Sequence, residues 1–141
     1  MSVVLTLERS ATSQASPEQV WHAWVDVEAW SEADHIDSAR LEGDFVAGST
    51  IKTKTQGFPA STLTITEVEQ PRRWVDESRA PGMRMTFVHD IELRDDGTII
   101  TERVLIRGPV GQVVGRAMRR RLEALLEASV ERLARRAEAA G

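Results

Sequence analysis

The pattern of apolar and polar positions predicts seven β-strands, of which the first alternates loosely and the other six are short β-prone segments bounded by turn residues. The first segment, residues 3–11, alternates loosely, with Val3, Leu5 and Leu7 on one face. The other six are separated by turn residues and cover residues 36–41, 50–55, 61–68, 73–79, 83–93 and 98–107. Consecutive strands with short connections predict an antiparallel meander.

Two short helices are predicted between the first and second strands. Ser16 can cap a helix, Pro17 suits its first position, and Gln19 completes a capping box. Apolar residues then recur at helical spacing: Val20, Trp21, Trp24 and Val25. A second short helix is predicted over Val27–Glu32. We interpret the three tryptophans between residues 21 and 30 as a hydrophobic plug that anchors this region.

Residues 111–139 carry apolar positions every three or four residues, which predicts one long helix with a single apolar stripe. The stripe consists of Val114, Met118, Leu122, Leu125, Leu126, Ser129 and Leu133. We expect Met118, Leu122 and Leu125 to be buried against the sheet. The elements together predict one α+β domain over residues 1–141 with the helix-grip fold, in which a curved antiparallel sheet of six to seven strands surrounds the C-terminal helix. One helix rarely fills the space inside such a sheet, so a cavity is expected.

Composition excludes several classes of function. Apolar residues make up 41% and charged residues 28%, which is typical of a soluble folded domain, and a net charge of −4 gives no overall basic surface for nucleic acid. Without cysteine, disulfides, zinc–thiolate sites and thiol nucleophiles are excluded. His22 and His35 are too far apart in sequence to suggest a metal pair, and we expect no metal and no cofactor. Because the sequence has neither a signal-peptide pattern nor a run of about 18 apolar residues, we expect a cytoplasmic protein without stable membrane insertion.

His89 is the one polar residue on the inward side of the strand at residues 83–93. The odd positions of that strand are Met83, Met85, Phe87, His89, Ile91 and Leu93. Side chains alternate across a strand, so this apolar set is expected to face inward. We leave two interpretations open: a core histidine bonded to backbone or to Trp74, and a residue that binds ligand or acts as a general base.

Strand pairing places further polar groups near His89. A turn at residues 81–82 directs three residues of the preceding strand inward: Trp74, Asp76 and Ser78. Asp76 then lies diagonal to His89, within reach of a long side chain, and is a candidate for orienting its ring.

The inward face of the last strand depends on the length of the loop before it. A four-residue loop turns Thr98, Ile100, Glu102, Val104 and Ile106 inward, whereas a three-residue loop turns Ile99, Thr101, Arg103, Leu105 and Arg107 inward. We prefer the first because it buries three aliphatic side chains and one charge, against two aliphatic side chains and two arginines. Glu102 then lies opposite His89.

These positions form the predicted ligand site: Trp74, Asp76, Ser78, Met85, Phe87, His89, Glu102, Val104, Met118 and Leu122. Apolar walls with a few converging polar groups are typical of small-molecule sites. If a reaction takes place there, the catalytic candidates are His89, Asp76 and Glu102. We interpret Arg119, Arg120 and Arg121 as a solvated helix face, with contact to a membrane surface as the alternative.

Three stretches of sequence resemble the START-like (SRPBCC) superfamily, in its polyketide cyclase/dehydrase and lipid-transport group. They are residues 15–21 with 26–30, residues 38–43 with 48–50, and residues 66–74; Gly108-Pro109-Val110-Gly111 before a long helix also fits. The group's usual Trp-Pro-x-Trp is here Trp30-Ser31-Glu32-Ala33, so the second aromatic is missing at the cavity rim. The resemblance implies a helix-grip fold whose members bind lipids, quinones, aromatic polyketides or hormones. Some members catalyse cyclisation or dehydration.

Three functions stay open from the sequence. The first is the binding or carriage of a small hydrophobic molecule (lipid, quinone or aromatic polyketide) in the cavity. The second is an enzyme of the cyclase or dehydratase type that uses acid–base residues there. The third is a protein-interaction module of related fold, although the regular alternation offers no large exposed apolar patch. The predicted partner is a small hydrophobic molecule and not nucleic acid, and a homodimer is left open.

Overall fold

Seven antiparallel strands form one sheet in the computed structural model, which describes residues 4–33 and 35–140. The strands are β1 (Leu5–Ser13), β2 (Ile36–Glu42), β3 (Thr50–Thr55), β4 (Ser61–Glu69), β5 (Arg73–Ala80), β6 (Met83–Arg94) and β7 (Gly97–Arg107). Their order in the sheet is β1-β7-β6-β5-β4-β3-β2. The predicted meander from β2 to β7 is confirmed, and β1 closes the sheet against β7.

Helix α1 (Pro17–Val25) begins at the predicted capping box. The Ser16 hydroxyl accepts a hydrogen bond from the Gln19 N–H at 3.2 Å, and Oε1 of Gln19 accepts one from the Ser16 N–H at 2.8 Å. These two bonds satisfy backbone donors that the first helical turn leaves free. The second predicted helix is a 3-10 helix over Val27–Glu32. The indole N–H of Trp30 donates to the Trp24 carbonyl at 2.8 Å, which ties the two helices together.

Strand β1 runs two residues further than its alternation predicted. Val3, the first residue of the predicted strand, lies outside the described residues. Ser13 is buried at the other end, and its hydroxyl donates to the Ala134 carbonyl at 2.9 Å. The loose alternation predicted a strand only as far as residue 11, and the hydrogen bond of Ser13 compensates for the burial of its hydroxyl in the longer strand.

The C-terminal helix is two helices and not the single helix predicted over residues 111–139. Helix α2 (Pro109–Ala117) and helix α3 (Arg119–Ala140) are separated at Met118, whose φ of −106° and ψ of 12° depart from helical values. Helix α2 lies close to the sheet, because a Cβ on Gly115 would be 2.7 Å from Cδ2 of Leu5. Helix α3 packs along β1 and α1. The change of direction at Met118 lets both helices follow the sheet.

The apolar stripe of the C-terminal region divides into two parts. Five residues of α3 are buried: Leu126, Val130, Leu133, Ala134 and Ala137. Met118, Leu122 and Leu125 were expected to be buried against the sheet, but they are only half-buried. The prediction was wrong for these three because they face an open cavity. It also omitted Val130, Ala134 and Ala137, which carry the packing at the other end of the helix.

The β6–β7 hairpin has a shorter loop than predicted but the preferred inward face. Arg94 pairs with Gly97, so the loop consists of residues 95–96. Two-residue and four-residue loops differ by an even number, and the inward set is therefore the same. Thr98, Ile100, Val104 and Ile106 are buried, and Glu102 lies opposite His89. Leu93 was expected to face inward with the other odd positions of β6, but it is 68% exposed because the strand end extends past the core.

Candidate functional site

A cavity of about 740 Å³ lies between the concave face of the sheet and the helices. Nine of the ten predicted site residues line it: Asp76, Ser78, Met85, Phe87, His89, Glu102, Val104, Met118 and Leu122. The antiparallel register produces this arrangement, since Asp76 pairs with Phe87, Ser78 with Met85, and Phe87 with Val104. The sheet supplies the polar groups, and the half-buried part of the helical stripe covers them.

Trp74 was predicted to line the cavity but lies behind the wall. Its side chain is fully buried, and the His89 ring stacks on it with centroids 3.5 Å apart. Trp30 stacks on it from another direction at 5.9 Å, and Phe45 meets it edge-on at 5.0 Å. Trp74 faces the inside of the sheet as predicted, but the neighbouring aromatic rings cover it and keep it out of the cavity.

His89 is both a bonded core residue and a part of the cavity wall. Its Nδ1 lies 3.1 Å from the Trp74 carbonyl oxygen, and because a carbonyl only accepts, Nδ1 carries the hydrogen and donates. Nε2 is then the unprotonated nitrogen and can accept a hydrogen bond from a molecule in the cavity. Burial lowers the pKa of His89 to about 3, so the imidazole is neutral at physiological pH.

Asp76 is buried in the same wall without a full set of hydrogen bonds. It is 1% exposed, and its Oδ1 has no hydrogen-bond partner among the described residues. Burial, followed by the nearby charge of Glu102, raises the pKa of Asp76 well above its ordinary value. The predicted pair in which Asp76 orients His89 is not formed, because the Trp74 carbonyl holds Nδ1 of the ring.

Glu102, on β7, adds a third polar side chain to those of Asp76 and His89 in the cavity wall. Its Oε1 accepts a hydrogen bond from the Ser129 hydroxyl of α3 at 3.1 Å, and burial raises its pKa to about 7. Arg9 is its direct neighbour on β1, but that guanidinium forms an ion pair with Glu123 at 3.1 Å. Glu102 therefore keeps its proton to a much higher pH than an ordinary glutamate does. Ser129 was predicted to lie on the inward stripe, but its role in holding Glu102 could not be read from the sequence.

Aromatic side chains that the sequence did not assign to the site complete the apolar wall. Trp24, Trp30 and Phe58 line the cavity, and so does Ala33, at the position where the related motif has a second aromatic. The three rings come from a helix, a 3-10 helix and a loop, and their joint placement depends on tertiary structure. The small side chain of Ala33 contributes little bulk to the wall at that position.

Arg121 fastens the β3–β4 loop to α3 at the rim of the cavity. Its guanidinium donates to the Gln56 carbonyl at 2.8 Å and lies 5.1 Å from the centre of the Phe58 ring. The arginine run was interpreted as a solvated face, which is incomplete because Arg121 makes these contacts and Arg119 pairs with Glu123 at 3.6 Å. The rim is thus held by a hydrogen bond and a cation–π contact.

Within residues 4–33 and 35–140, no group of three or more His, Cys, Asp or Glu side chains could hold a metal ion. Over the same residues, none of the helices has the length and apolar character needed to cross a membrane.

Comparison with known proteins adds a family and a fold. A sequence profile described as polyketide cyclase/dehydrase and lipid transport matches residues 4–138. Among curated proteins, no sequence matches this chain. Of the solved structures with a similar fold, Ara h 8.0201 is 17% identical with a TM-score of 0.67, over 93% of this chain and 98% of that one.

Two further solved structures are similar over most of this chain. Norcoclaurine synthase from Thalictrum flavum, in complex with dopamine and hydroxybenzaldehyde, is 10% identical with a TM-score of 0.69, over 97% of this chain and 85% of that one. The di-domain ARO/CYC StfQ from the steffimycin biosynthetic pathway is 14% identical with a TM-score of 0.70, over 93% of this chain and 49% of that one. At such low identity, the likeness establishes the helix-grip fold and leaves the chemistry to be argued from the site.

Proposed function

The chain belongs to the polyketide cyclase/dehydrase and lipid transport family, and on this premise we propose that it binds and carries a small hydrophobic molecule in its cavity. The observation that carries the proposal is the composition of the wall. Apolar side chains such as Met85, Phe87 and Val104 surround three polar groups, those of Asp76, His89 and Glu102. Small-molecule sites have this character, in which the apolar area supplies affinity and a few polar groups fix the orientation.

The size of the cavity favours a ligand of the aromatic polyketide, quinone or short lipid class. Its volume of about 740 Å³ falls within the range of roughly 300–1,000 Å³ typical of small-molecule pockets. Norcoclaurine synthase, which shares the fold, holds two small aromatic compounds. That neighbour supports an aromatic ligand here, with Trp24 and Trp30 as part of the wall.

The cytoplasmic location stays a prediction from the sequence.

The binding function is tested with a neutral apolar fluorescent probe, N-phenyl-1-naphthylamine. Met85→Trp places a bulky ring in the cavity and should weaken probe binding at least tenfold. Val113→Trp adds the same ring at a position that is 70% exposed and outside the cavity, and should leave binding unchanged. Equal affinity of both variants and the native protein would place the probe elsewhere and contradict the proposal. If the two variants differ as expected, native mass spectrometry of protein from its host identifies the molecule that it carries.

A second candidate function, acid–base catalysis, is favoured by one specific observation. Asp76 and Glu102 face the same cavity, burial raises the pKa of both, and the nearby charge of Glu102 raises that of Asp76 further; neighbouring carboxyls of this kind supply the acid and the base of many enzymes. Protonated Asp76 would donate to a substrate carbonyl while ionised Glu102 removes a proton from the adjacent carbon. The test is exchange of the α-protons of 2-tetralone in D₂O, followed by NMR. Catalysis predicts acceleration that falls roughly 100-fold in Glu102→Gln, whereas a rate equal to that in buffer contradicts it.

A further inference from the structure

We propose that the molecule carried by the cavity is a hydrophobic amine, whose ammonium group docks between Asp76 and Glu102 while its apolar body lies against the aromatic wall. This inference rests on the proposed binding function and names the chemical class of its ligand.

The first step of the argument is the incomplete hydrogen bonding of Asp76. Its side chain is 1% exposed, and Oδ1 has no partner among the described residues. A buried polar atom without a hydrogen bond is unfavourable by about 1–3 kcal/mol, and such atoms are rare in folded proteins. The carboxyl group lies in the cavity wall, so a donor on a bound molecule can supply the missing hydrogen bond.

The second step is that cationic groups around the two carboxyls are committed to other partners. On β1, Arg9 pairs with Glu123 of α3 at 3.1 Å, although it lies opposite Glu102. On β5, Arg79 pairs with Glu77 at 2.9 Å.

Further nitrogen-bearing side chains lie on the remaining elements around the cavity. On β6, His89 is neutral because burial lowers its pKa to about 3. On α3, Arg136 pairs with Asp26 at 3.5 Å and with Glu32 at 3.3 Å, while Arg132 also lines the cavity. His35 lines it next to β2. None of these side chains lowers the pKa of Asp76 or Glu102; burial raises both, and Glu102 raises that of Asp76 further.

The third step compares the ligand groups that could meet two such carboxyls. A carboxylate on the ligand would bring another negative charge next to the two carboxyl groups, and a hydroxyl offers one donor. An ammonium has three donors and a positive charge, so it can bond to Asp76 and Glu102 together with charge-assisted hydrogen bonds. The aromatic rings of Trp24, Trp30 and Phe87 line the same cavity and suit both the apolar body of the ligand and a nearby cation.

The inference is tested with three compounds that share one apolar body: 4-phenylbutylamine, 4-phenylbutan-1-ol and 4-phenylbutanoate. Isothermal titration calorimetry at pH 8 measures each Kd. We expect the amine to bind at least tenfold more tightly than the alcohol, and the carboxylate to bind most weakly. Asp76→Asn and Glu102→Gln should each remove most of the preference for the amine. Glu131→Gln makes the same change of charge on the exposed side of α3 and should preserve it.

The dependence on pH provides a second readout. Ammonium binding requires an ionised carboxyl, and the pKa of Glu102 is raised to about 7. Below that pH, binding releases a proton to solvent, so the Kd of the amine should fall roughly tenfold between pH 6 and pH 8. The Kd of the alcohol should not fall over this range. In Glu102→Gln, the change in amine affinity should shrink markedly.

Two results would overturn the inference. One is an alcohol that binds as tightly as the amine at pH 8; the other is an amine preference that survives both Asp76→Asn and Glu102→Gln. In either case, displacement of N-phenyl-1-naphthylamine by the alcohol would leave the proposed binding function intact. Failure of the probe itself to respond to Met85→Trp would contradict the binding function instead, and the two failures are therefore distinguishable.

Discussion

Replacing Glu102 with Gln should stabilise the protein at alkaline pH, because the native carboxyl must ionise inside the cavity. Its pKa is raised from 4.5 to about 7 by burial, so the folded state holds the proton more tightly than the unfolded state. The stabilising effect of that proton is complete below pH 4.5 and is lost as the pH rises towards 7 and beyond. Glutamine imitates the protonated acid at every pH, and its amide oxygen can still accept from Ser129.

The size of the effect follows from the difference between the two pKa values. Each pH unit corresponds to about 1.4 kcal/mol, so a pKa raised from 4.5 to about 7 amounts to about 3 kcal/mol of unfolding free energy. At pH 8 the Glu102→Gln variant should therefore be more stable than the native protein by about 3 kcal/mol. At pH 5 the two should agree within about 1 kcal/mol, because the carboxyl is then protonated when folded and only partly ionised when unfolded.

Urea denaturation followed by tryptophan fluorescence measures this difference at pH 5, 6, 7 and 8. Comparing variant with native protein at each pH cancels the contributions of other titrating groups that the substitution leaves unchanged. The exposed Glu131→Gln variant serves as the control and should differ from the native protein by less than about 0.5 kcal/mol throughout. A stability difference for Glu102→Gln that is the same at pH 5 and pH 8 would refute the reasoning, since it would mean that the carboxyl ionises as freely in the folded state as in the unfolded one.

Four other substitutions test the packing by chemical denaturation. Leu126→Ala should lower the unfolding free energy by about 3 kcal/mol and Leu122→Ala by only about 1 kcal/mol, because the Leu126 side chain is buried whereas that of Leu122 is only half-buried; equal losses would contradict this assignment. His89→Gln should cost about 1–2 kcal/mol at pH 8 through the lost stacking and hydrogen bond to Trp74. Because burial lowers the pKa of His89 to about 3, the native protein loses stability as the pH falls below about 6.5, and the cost of His89→Gln should largely vanish by pH 5; a constant cost would show that the ring ionises freely. Gly108→Ala should cost at least about 2 kcal/mol, since φ is +95° and a Cβ would overlap the β5–β6 turn, and an unchanged midpoint would be inconsistent with that backbone.

The strands and their inward faces were predictable from sequence because they depend on local patterns. Alternation on β6 identified His89, and a short turn at residues 81–82 fixed its pairing with Trp74. For β7, burial of three aliphatic side chains was enough to choose the face that carries Glu102. These predictions share one physical basis: shifting a strand by one residue exposes its whole apolar set, so the sequence specifies the register strongly.

Features that depend on contacts between distant segments were not predictable. Trp74 faces inward as predicted, yet rings from α1, the 3-10 helix and the loop before β3 enclose it. The helix break at Met118 was not predictable either. The apolar spacing of three and four residues continues through Met118, whereas the break arises because α2 and α3 pack on different parts of the sheet. The sequence left open whether the His89 ring bonds to the backbone or to a side chain. In the structure, Nδ1 of His89 bonds to the backbone carbonyl of Trp74.

The contacts of Arg121 at the rim have a kinetic consequence for the proposed ligand if it enters beside them. A molecule that passes between the β3–β4 loop and α3 must first break the hydrogen bond to Gln56 and the cation–π contact with Phe58. At about 1 kcal/mol each, these contacts add about 2 kcal/mol to the barrier, and they re-form once the molecule is inside. Association and dissociation therefore slow by the same factor, roughly thirtyfold, and the equilibrium constant does not change. For a proposed ligand that takes this route, residence time depends on Arg121 separately from the affinity that the polar groups of the wall confer.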